Sequence, residues 1–462
     1  MAEKTTLIHG GTLASVVGTY PADLLIVGET VKAQVQPGTF GPESVDEAID
    51  ATGKLILPGL IDPHLHFNSP FMGTITAHAF DNGTAAAALG GVTTLIDFST
   101  QLKGGSIMDN LAQKEEEARG RACIDWSMSG ILLDAGPQTL EEIPRLIAAG
   151  CPTYKCFTTY KKSDRLVDDD SFLVLLEATA RHGGMLMVHC ENDTITSYHT
   201  GKLVEAGLLS PMHHALSRPP SAENVAIQRI VDLVREVPAP VYIVHTSTAE
   251  SAAIIQRARL DGLPVHSETC THYLAITEAK LQGPDAQLFI CSPPLRAQRD
   301  LDALWRALAA GCIEVVSSDD AGVKPADNLR IGQGRFDQVP SGLSGIEPRL
   351  AILYTEGVCK GRISLAQLVA ATSANPARLF GLYPAKGHLA PGADADLVIF
   401  DPKARWTMSA KNLHMNTDFC IFEGWEIQGK VESVFSRGTC IVKEGRLVGE
   451  PGRGKRVFRQ LR

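Results

Sequence analysis

Short, strongly apolar runs recur along the middle of this chain, and most end on a residue that can bind a metal or move a proton. Val92–Phe98, Met185–His189, Val241–His245, Leu263–Glu268 and Ile313–Asp319 are the clearest. Apolar runs this short, with few alternating polar positions, read as strands covered on both faces. Between them, stretches such as Asp170–Arg181 and Ala249–Leu260 carry apolar residues at helical spacing. Repeated strand–helix units imply a parallel sheet packed under helices. About eight such units can be counted, which predicts an α/β fold closed as a (β/α)8 TIM barrel rather than an open doubly wound sheet. No Gly-x-Gly-x-x-Gly or Walker loop follows any strand, which argues against nucleotide binding.

The two chain ends have a different pattern. Thr5–Ile8 and Ala22–Val27 near the start, and Ala393–Pro402, Lys430–Gly438 and Cys440–Val442 near the end, read as strands of one small β-sandwich. Pro58–Gly59 and Pro391–Gly392 are plausible hinges at its borders. The expected division is residues 1–57 plus 388–462 for the sandwich and 58–387 for the barrel. The formal charge of −9 speaks against a nucleic-acid surface. Arg453, Lys455, Arg456, Arg459 and Arg462 cluster at the C-terminus and are expected to form a solvated tail. Met1–Lys4 opens no apolar leader, and no stretch is long and apolar enough for a bilayer. The ten cysteines include no Cys-x-x-Cys pair and are expected to be reduced. Together these features predict a cytoplasmic enzyme.

Chemistry collects where a barrel concentrates it, at the C-terminal ends of the strands. His64 and His66 are two apart in an extended segment, so both side chains can face one cation. His189, His245 and Asp319 end three further runs. Imidazoles with a carboxylate suit a borderline divalent ion such as zinc. Lys155, in Thr153–Phe157, cannot ligate as an ammonium. A carbamate formed with carbon dioxide would offer two anionic oxygens, one for each of two metals. The alternative is a barrel lysine paired with Asp319.

Several longer stretches resemble the hydantoinase/dihydropyrimidinase family of the amidohydrolase superfamily, over essentially the whole chain. They are Pro58–His66, Phe71–Thr74, Lys155–Tyr160, Val188–Asn192, Glu268–Leu274, Ser292–Arg296, Asn416–Asp418 and Glu423–Gly424. The His-x-His opening marks only the superfamily; the lysine-to-tyrosine element and the Ser-Pro-Pro stretch are more specific. The resemblance implies two divalent metal ions per subunit, most naturally zinc. His64, His66, Lys155 and Asp319 would hold one, and Lys155, His189 and His245 the other, with Lys155 modified to N6-carboxylysine.

The implied reaction is hydrolytic opening of a cyclic amide or ureide, a hydantoin or dihydropyrimidine giving an N-carbamoyl amino acid. A metal pair makes a nucleophile from water near neutral pH. Asp319 is the expected general acid/base, and Tyr160 the expected hydrogen-bond donor to the developing oxyanion. Ser292 and Ser341 are the positions whose backbone groups would fix the imide edge. Two departures bear on substrate: Asp320 stands where the family usually has His after the metal-binding Asp, and Ser341 where Asn is common. Phe67 and Asn68 follow the His-x-His, where dihydroorotase-like enzymes carry Arg. Allantoinase-like enzymes share the His-Phe-Asn start but lack the tyrosine; an allantoinase-like ureide hydrolase therefore stays as the alternative. A catalytically silent scaffold of the same fold is the alternative of another class. Phe67, Phe71, Met72 and Phe157 are expected to shape the substituent pocket. Of the remaining histidines, His78 and His214, among others, are expected to be satisfied core or surface residues; His272 lies in a family-like stretch near the barrel rim, where support of the site is the alternative to that background role. The expected partners are a small cyclic amide and, by resemblance, three further copies in a homotetramer. The apolar residues of Val457–Arg462 suggest that the tail crosses to a neighbouring subunit.

Overall fold

The computed structural model describes residues 3–461; Met1, Ala2 and Arg462 lie outside the described residues. Eight parallel strands run through the centre: β1 (Leu60–Leu65), β2 (Val92–Thr100), β3 (Asp125–Ile131), β4 (Thr153–Phe157), β5 (Met185–His189), β6 (Val241–Ile243), β7 (Val265–Cys270) and β8 (Val315–Ser317). Each pairs with the next, so the sheet follows chain order. The residues just past β8 complete the circle. Asp319 N–H donates to the His64 carbonyl at 3.0 Å, and His66 N–H donates to the Asp320 carbonyl at 2.8 Å. Closure leaves no free sheet edge and brings the ends of β1 and β8 side by side.

The strands form where every side chain can be buried: Met185–His189 and Thr153–Phe157 are buried at each position. The helices begin and end on ordinary signals. Asp169–His182 starts with the Asp168 carboxylate accepting from Ser171 N–H and stops at Gly183 in the left-handed conformation. Ala249–Leu260 is capped by the Thr248 hydroxyl. Both helices fall within a residue or so of the stretches predicted from apolar spacing.

The chain ends build two sheets beside the barrel. One is wholly N-terminal, in the order Thr30–Val35, Asp23–Val27, Thr5–His9, Glu47–Asp50. In the other, Leu397–Thr407 pairs antiparallel with Leu55–Pro58, which joins N-terminal and C-terminal strands. A buried charge cluster fastens this unit to the barrel. Lys386 Nζ lies 2.9 Å from Asp125, 2.9 Å from Asp394 and 2.7 Å from Asp396, and Arg437 Nε lies 3.1 Å from Asp125. Three carboxylates this close could hold a cation, and here the lysine ammonium fills that place.

The C-terminal segment is not the solvated tail that its charge suggests; residues 455–461 pack on the barrel of their own chain. It lies along β3, with Trp126 N–H donating to the Lys455 carbonyl (3.0 Å) and Val457 N–H donating to the Trp126 carbonyl (2.7 Å). Arg459 is fully buried under the N-terminal end of the barrel. Its guanidinium donates to the Ser127 hydroxyl (2.9 Å), the Thr153 hydroxyl (3.0 Å) and the carbonyls of Phe380 and Met128. Burial lowers its pKa to about 10, so it stays charged and every donor needs an oxygen. Gly150 allows this close approach: its φ is +81°, and a Cβ there would come within 2.5 Å of the Phe458 ring.

Candidate active site

The strand-end residues converge at the C-terminal mouth of the barrel. His64 and His66 leave β1 on the same side, as the two-residue period of a strand requires. His64 is fully buried, and its Nδ1–H donates to the Glu268 carboxylate at the end of β7. That contact fixes the ring so that Nε2 faces the centre, 2.8 Å from Lys155 Nζ and 3.1 Å from Asp319 Oδ1. His66 Nε2 lies 3.5 Å from the same Asp319 oxygen, and its ring stacks on Phe98 at 5.0 Å. Donor atoms of His64, His66 and Asp319 all fall within 4.8 Å of one another.

The second group sits across Lys155. His189 Nδ1 and His245 Nε2 are 2.9 Å apart, and the other His189 nitrogen donates to Glu191 at 2.9 Å. His245 Nδ1 is buried with no partner among the described residues. The His64 and His245 rings are 5.6 Å apart, so the two groups form one cluster. Lys155 is buried between them, its Nζ 4.9 Å from the Phe98 ring and 5.4 Å from the Phe157 ring. His245 and Asp319 both have positive φ, +39° and +45°. Non-glycine residues pay strain for that conformation, and such outliers gather at functional positions.

Burial sets the protonation of this cluster. It holds His64 down to about 3 and His66, His189 and His245 below the ordinary imidazole range, so all four rings are neutral. Burial also lowers the Lys155 amine to about 8 and raises the Asp319 carboxyl. Glu191 goes the other way: against its burial, Arg218 and then His189 pull it down to about 2. Four neutral imidazoles, two of them held by carboxylates behind, and the Asp319 carboxylate beside His64 and His66 are a donor set that fits divalent cations.

Tyr160 stands over this cluster in the left-handed region, φ +68°, where β4 turns into its loop. Its ring is 5.2 Å from His189, and the Arg218 guanidinium lies 5.2 Å from its centroid. Burial raises its pKa, so the phenol keeps its proton. The Ser292 hydroxyl is buried without a partner among the described residues, while Ser341 is half-buried and donates to the Val339 carbonyl at 3.3 Å. Ser341 belongs to the segment whose Leu343 pairs with Asp320, beside the end of β8.

Asp320, the departure after Asp319, points away from the cluster. Its carboxylate accepts from Gly345 N–H (2.8 Å) and Ile346 N–H (3.1 Å) and meets His78 Nδ1 at 2.7 Å. His78 in turn accepts from Asn416 N–H at 3.1 Å, so it is a satisfied buried histidine. Phe67 is a correction: it is fully buried, with its ring against Phe80 and Gly83, and does not shape the pocket. Met72 is exposed and Phe71 half-buried on the neighbouring hairpin. His272 has a buried Nε2 with no partner among the described residues. Sequence reasoning missed Glu268, Glu191, Arg218 and Arg165. The first two carry the same signal as the ligands, a polar residue at or just beyond the end of a buried strand.

The amidohydrolase family profile matches residues 55–441. D-hydantoinase of Geobacillus stearothermophilus is 39% identical over 458 residues, covering 98% of this chain and 96% of that protein. D-hydantoinase of Ralstonia pickettii is 38% identical over 456 residues, covering 98% of each. The crystal structure of dihydropyrimidinase from Brevibacillus agri NCHU1002 superposes with a TM-score of 0.96 at 39% identity, covering 99% of each chain.

Proposed function

The chain belongs to the amidohydrolase family, in its hydantoinase/dihydropyrimidinase branch, and from that membership we propose that it hydrolyses the ring amide of a hydantoin or dihydropyrimidine, giving an N-carbamoyl amino acid. One observation carries this reading: six donor side chains from five strand ends converge beneath a protonated tyrosine. A turnover panel of dihydrouracil, hydantoin, substituted hydantoins and allantoin tests it. Opening of the first three classes supports the assignment. Opening of allantoin alone selects the alternative, and no turnover on any ring overturns both.

His64, His66, Lys155 and Asp319 would hold one divalent ion, and Lys155, His189 and His245 a second, zinc being the natural choice for this donor set. When bound, such ions supply Lewis acidity for the carbonyl and an activated water at neutral pH. Lys155 would serve both as a carbamate. Its amine adds carbon dioxide through the free base and loses a proton, giving N6-carboxylysine. Burial favours that neutral base.

The residues divide the remaining work. As the water oxygen bonds to the carbonyl carbon, the Asp319 carboxylate takes its proton; as the ring C–N bond breaks, Asp319 returns that proton to the departing nitrogen. The Tyr160 phenol donates to the carbonyl oxygen as negative charge builds there. Backbone groups at Ser292 and Ser341 would align the imide edge. Glu268 and Glu191 hold His64 and His189 in register. Tyr160→Phe is expected to lower kcat by roughly 10²–10³ with little change in KM, the loss typical of one oxyanion donor. Steady-state kinetics reads this directly, and wild-type values would reduce the tyrosine to packing.

We also propose a homotetramer, the closed symmetric state common for enzymes of this size. Tyr198, Leu208, Met212 and Leu216 are exposed apolar residues on one stretch and offer surface for it. Light scattering gives the mass directly. Among the described residues no helix is long and apolar enough to cross a membrane.

A further inference from the structure

Among the described residues, Arg165 at the mouth of the site lacks a counter-charge. Arg165 lies on the loop that carries Tyr160, half-buried, with its guanidinium carbon 5.8 Å from the centroid of the Phe157 ring. The same ring lies 5.4 Å from Lys155 Nζ and 5.6 Å from the His189 ring, so one aromatic side chain stands between Arg165 and the reacting centre. The loop is tied down on both sides of it. Arg165 N–H donates to the Tyr160 carbonyl at 3.2 Å, Leu166 bridges to Phe157, and Val167 N–H donates to the Phe157 carbonyl at 2.9 Å.

The nearby charges are committed elsewhere. Arg218 is paired with Glu191. Asp164 faces Lys103 at 3.4 Å, Asp168 caps the following helix, and Asp193 accepts from Lys161 N–H at 3.1 Å. Among the described residues Arg165 makes no ion pair and no side-chain hydrogen bond, while Lys161 and Lys162 add exposed positive charge on the same turn. A guanidinium partly withdrawn from water, with five donors and no acceptor, is costly to keep without a ligand. Its planar fork matches a carboxylate.

Resting on the ring-opening function above, we propose that Arg165 recognises an anionic exocyclic substituent, so the preferred substrates are cyclic ureides carrying a carboxylate on the ring substituent. With the scissile amide beneath Tyr160, the rest of the ring faces the loop that holds Arg165. The substituent carboxylate then replaces water on the guanidinium. Arg165 touches no reacting atom, so it acts on binding and leaves the proton transfers to Asp319.

The test compares 5-(carboxymethyl)hydantoin with its neutral amide, 5-(carbamoylmethyl)hydantoin, on wild-type, Arg165→Gln and Arg165→Lys enzymes. Unsubstituted hydantoin and dihydrouracil are run alongside. The wild type is expected to favour the acid by about 10-fold or more in kcat/KM, carried mainly by KM, as a charge-assisted hydrogen bond provides. Added salt should shrink that preference. Arg165→Gln should bring the ratio near one, and Arg165→Lys, which keeps the charge without the fork, should fall between. A wild-type enzyme that opens neutral rings but shows no preference for the acid overturns this proposal alone. So does an Arg165→Gln enzyme that keeps the preference. Failure to open any of the four rings overturns the ring-opening function, and this proposal with it.

Discussion

Asp319→Asn is expected to abolish turnover while substrate still binds. The carboxylate sits at the end of β8, its Oδ1 3.1 Å from His64 Nε2 and 3.5 Å from His66 Nε2. Burial raises its pKa in the metal-free protein; a bound cation would offset that rise and keep the carboxylate ionised, ready to accept a proton. Asparagine preserves the shape and a ligating oxygen but cannot take a proton. Loss of a positioned acid/base alone predicts a fall in kcat of about 10²–10⁴. Here the same group serves both the attack and the departure of nitrogen, so the upper end is expected. Metal analysis beside the kinetics separates the two duties. Metal content near wild type with kcat lost identifies proton transfer; loss of metal to the same degree as activity would make Asp319 a ligand only.

Lys155→Ala is expected to lose metal and activity together. Lys155 is buried beside both the His64/His66/Asp319 group and the His189/His245 group, its Nζ 2.8 Å from His64 Nε2. If it bridges two cations as a carbamate, alanine removes an oxygen ligand from each. Activity should fall by at least about 10³, since each such ion contributes several kcal/mol to stabilising the transition state. A short carboxylic acid, acetate or propionate, should restore part of both metal content and rate by filling the vacated volume. Lys155→Arg keeps the positive charge but forms no stable carbamate, and it should be as inactive as alanine. An active Lys155→Arg enzyme would refute the carbamate.

Much of this architecture is legible from the chain because burial on both faces forces continuous apolar runs. A polar residue that ends such a run therefore stands out. His64, His66, His189, His245 and Asp319 carry that signal, whereas Lys155 lies inside its strand and stands out by its chemistry; the structure gathers all six side chains at one mouth of the barrel. Glu268 and Glu191 carry it too, but sequence does not separate a ligand from the group that orients a ligand, because both sit at strand ends. Phe67 reads as a pocket residue because it follows His66. The chain bends at that point, and the closely packed Gly83 lets the ring enter the core. Arg459 was illegible for a different reason. A basic tail usually stays in water, and only the folded barrel base presents the oxygens of Ser127, Thr153, Met128 and Phe380 together. The same holds for Asp320, whose role depends on His78 and on the amides of Gly345 and Ile346, distant in sequence.

The proposed ring opening needs two divalent ions in one site. The most direct measurement is turnover of a ring substrate by metal-stripped protein as zinc is added in bicarbonate buffer. Turnover is expected to be absent before addition, to rise with added metal, and to reach its plateau at two equivalents per chain. Full turnover by the metal-stripped protein, or a plateau at one equivalent, would contradict the binuclear site.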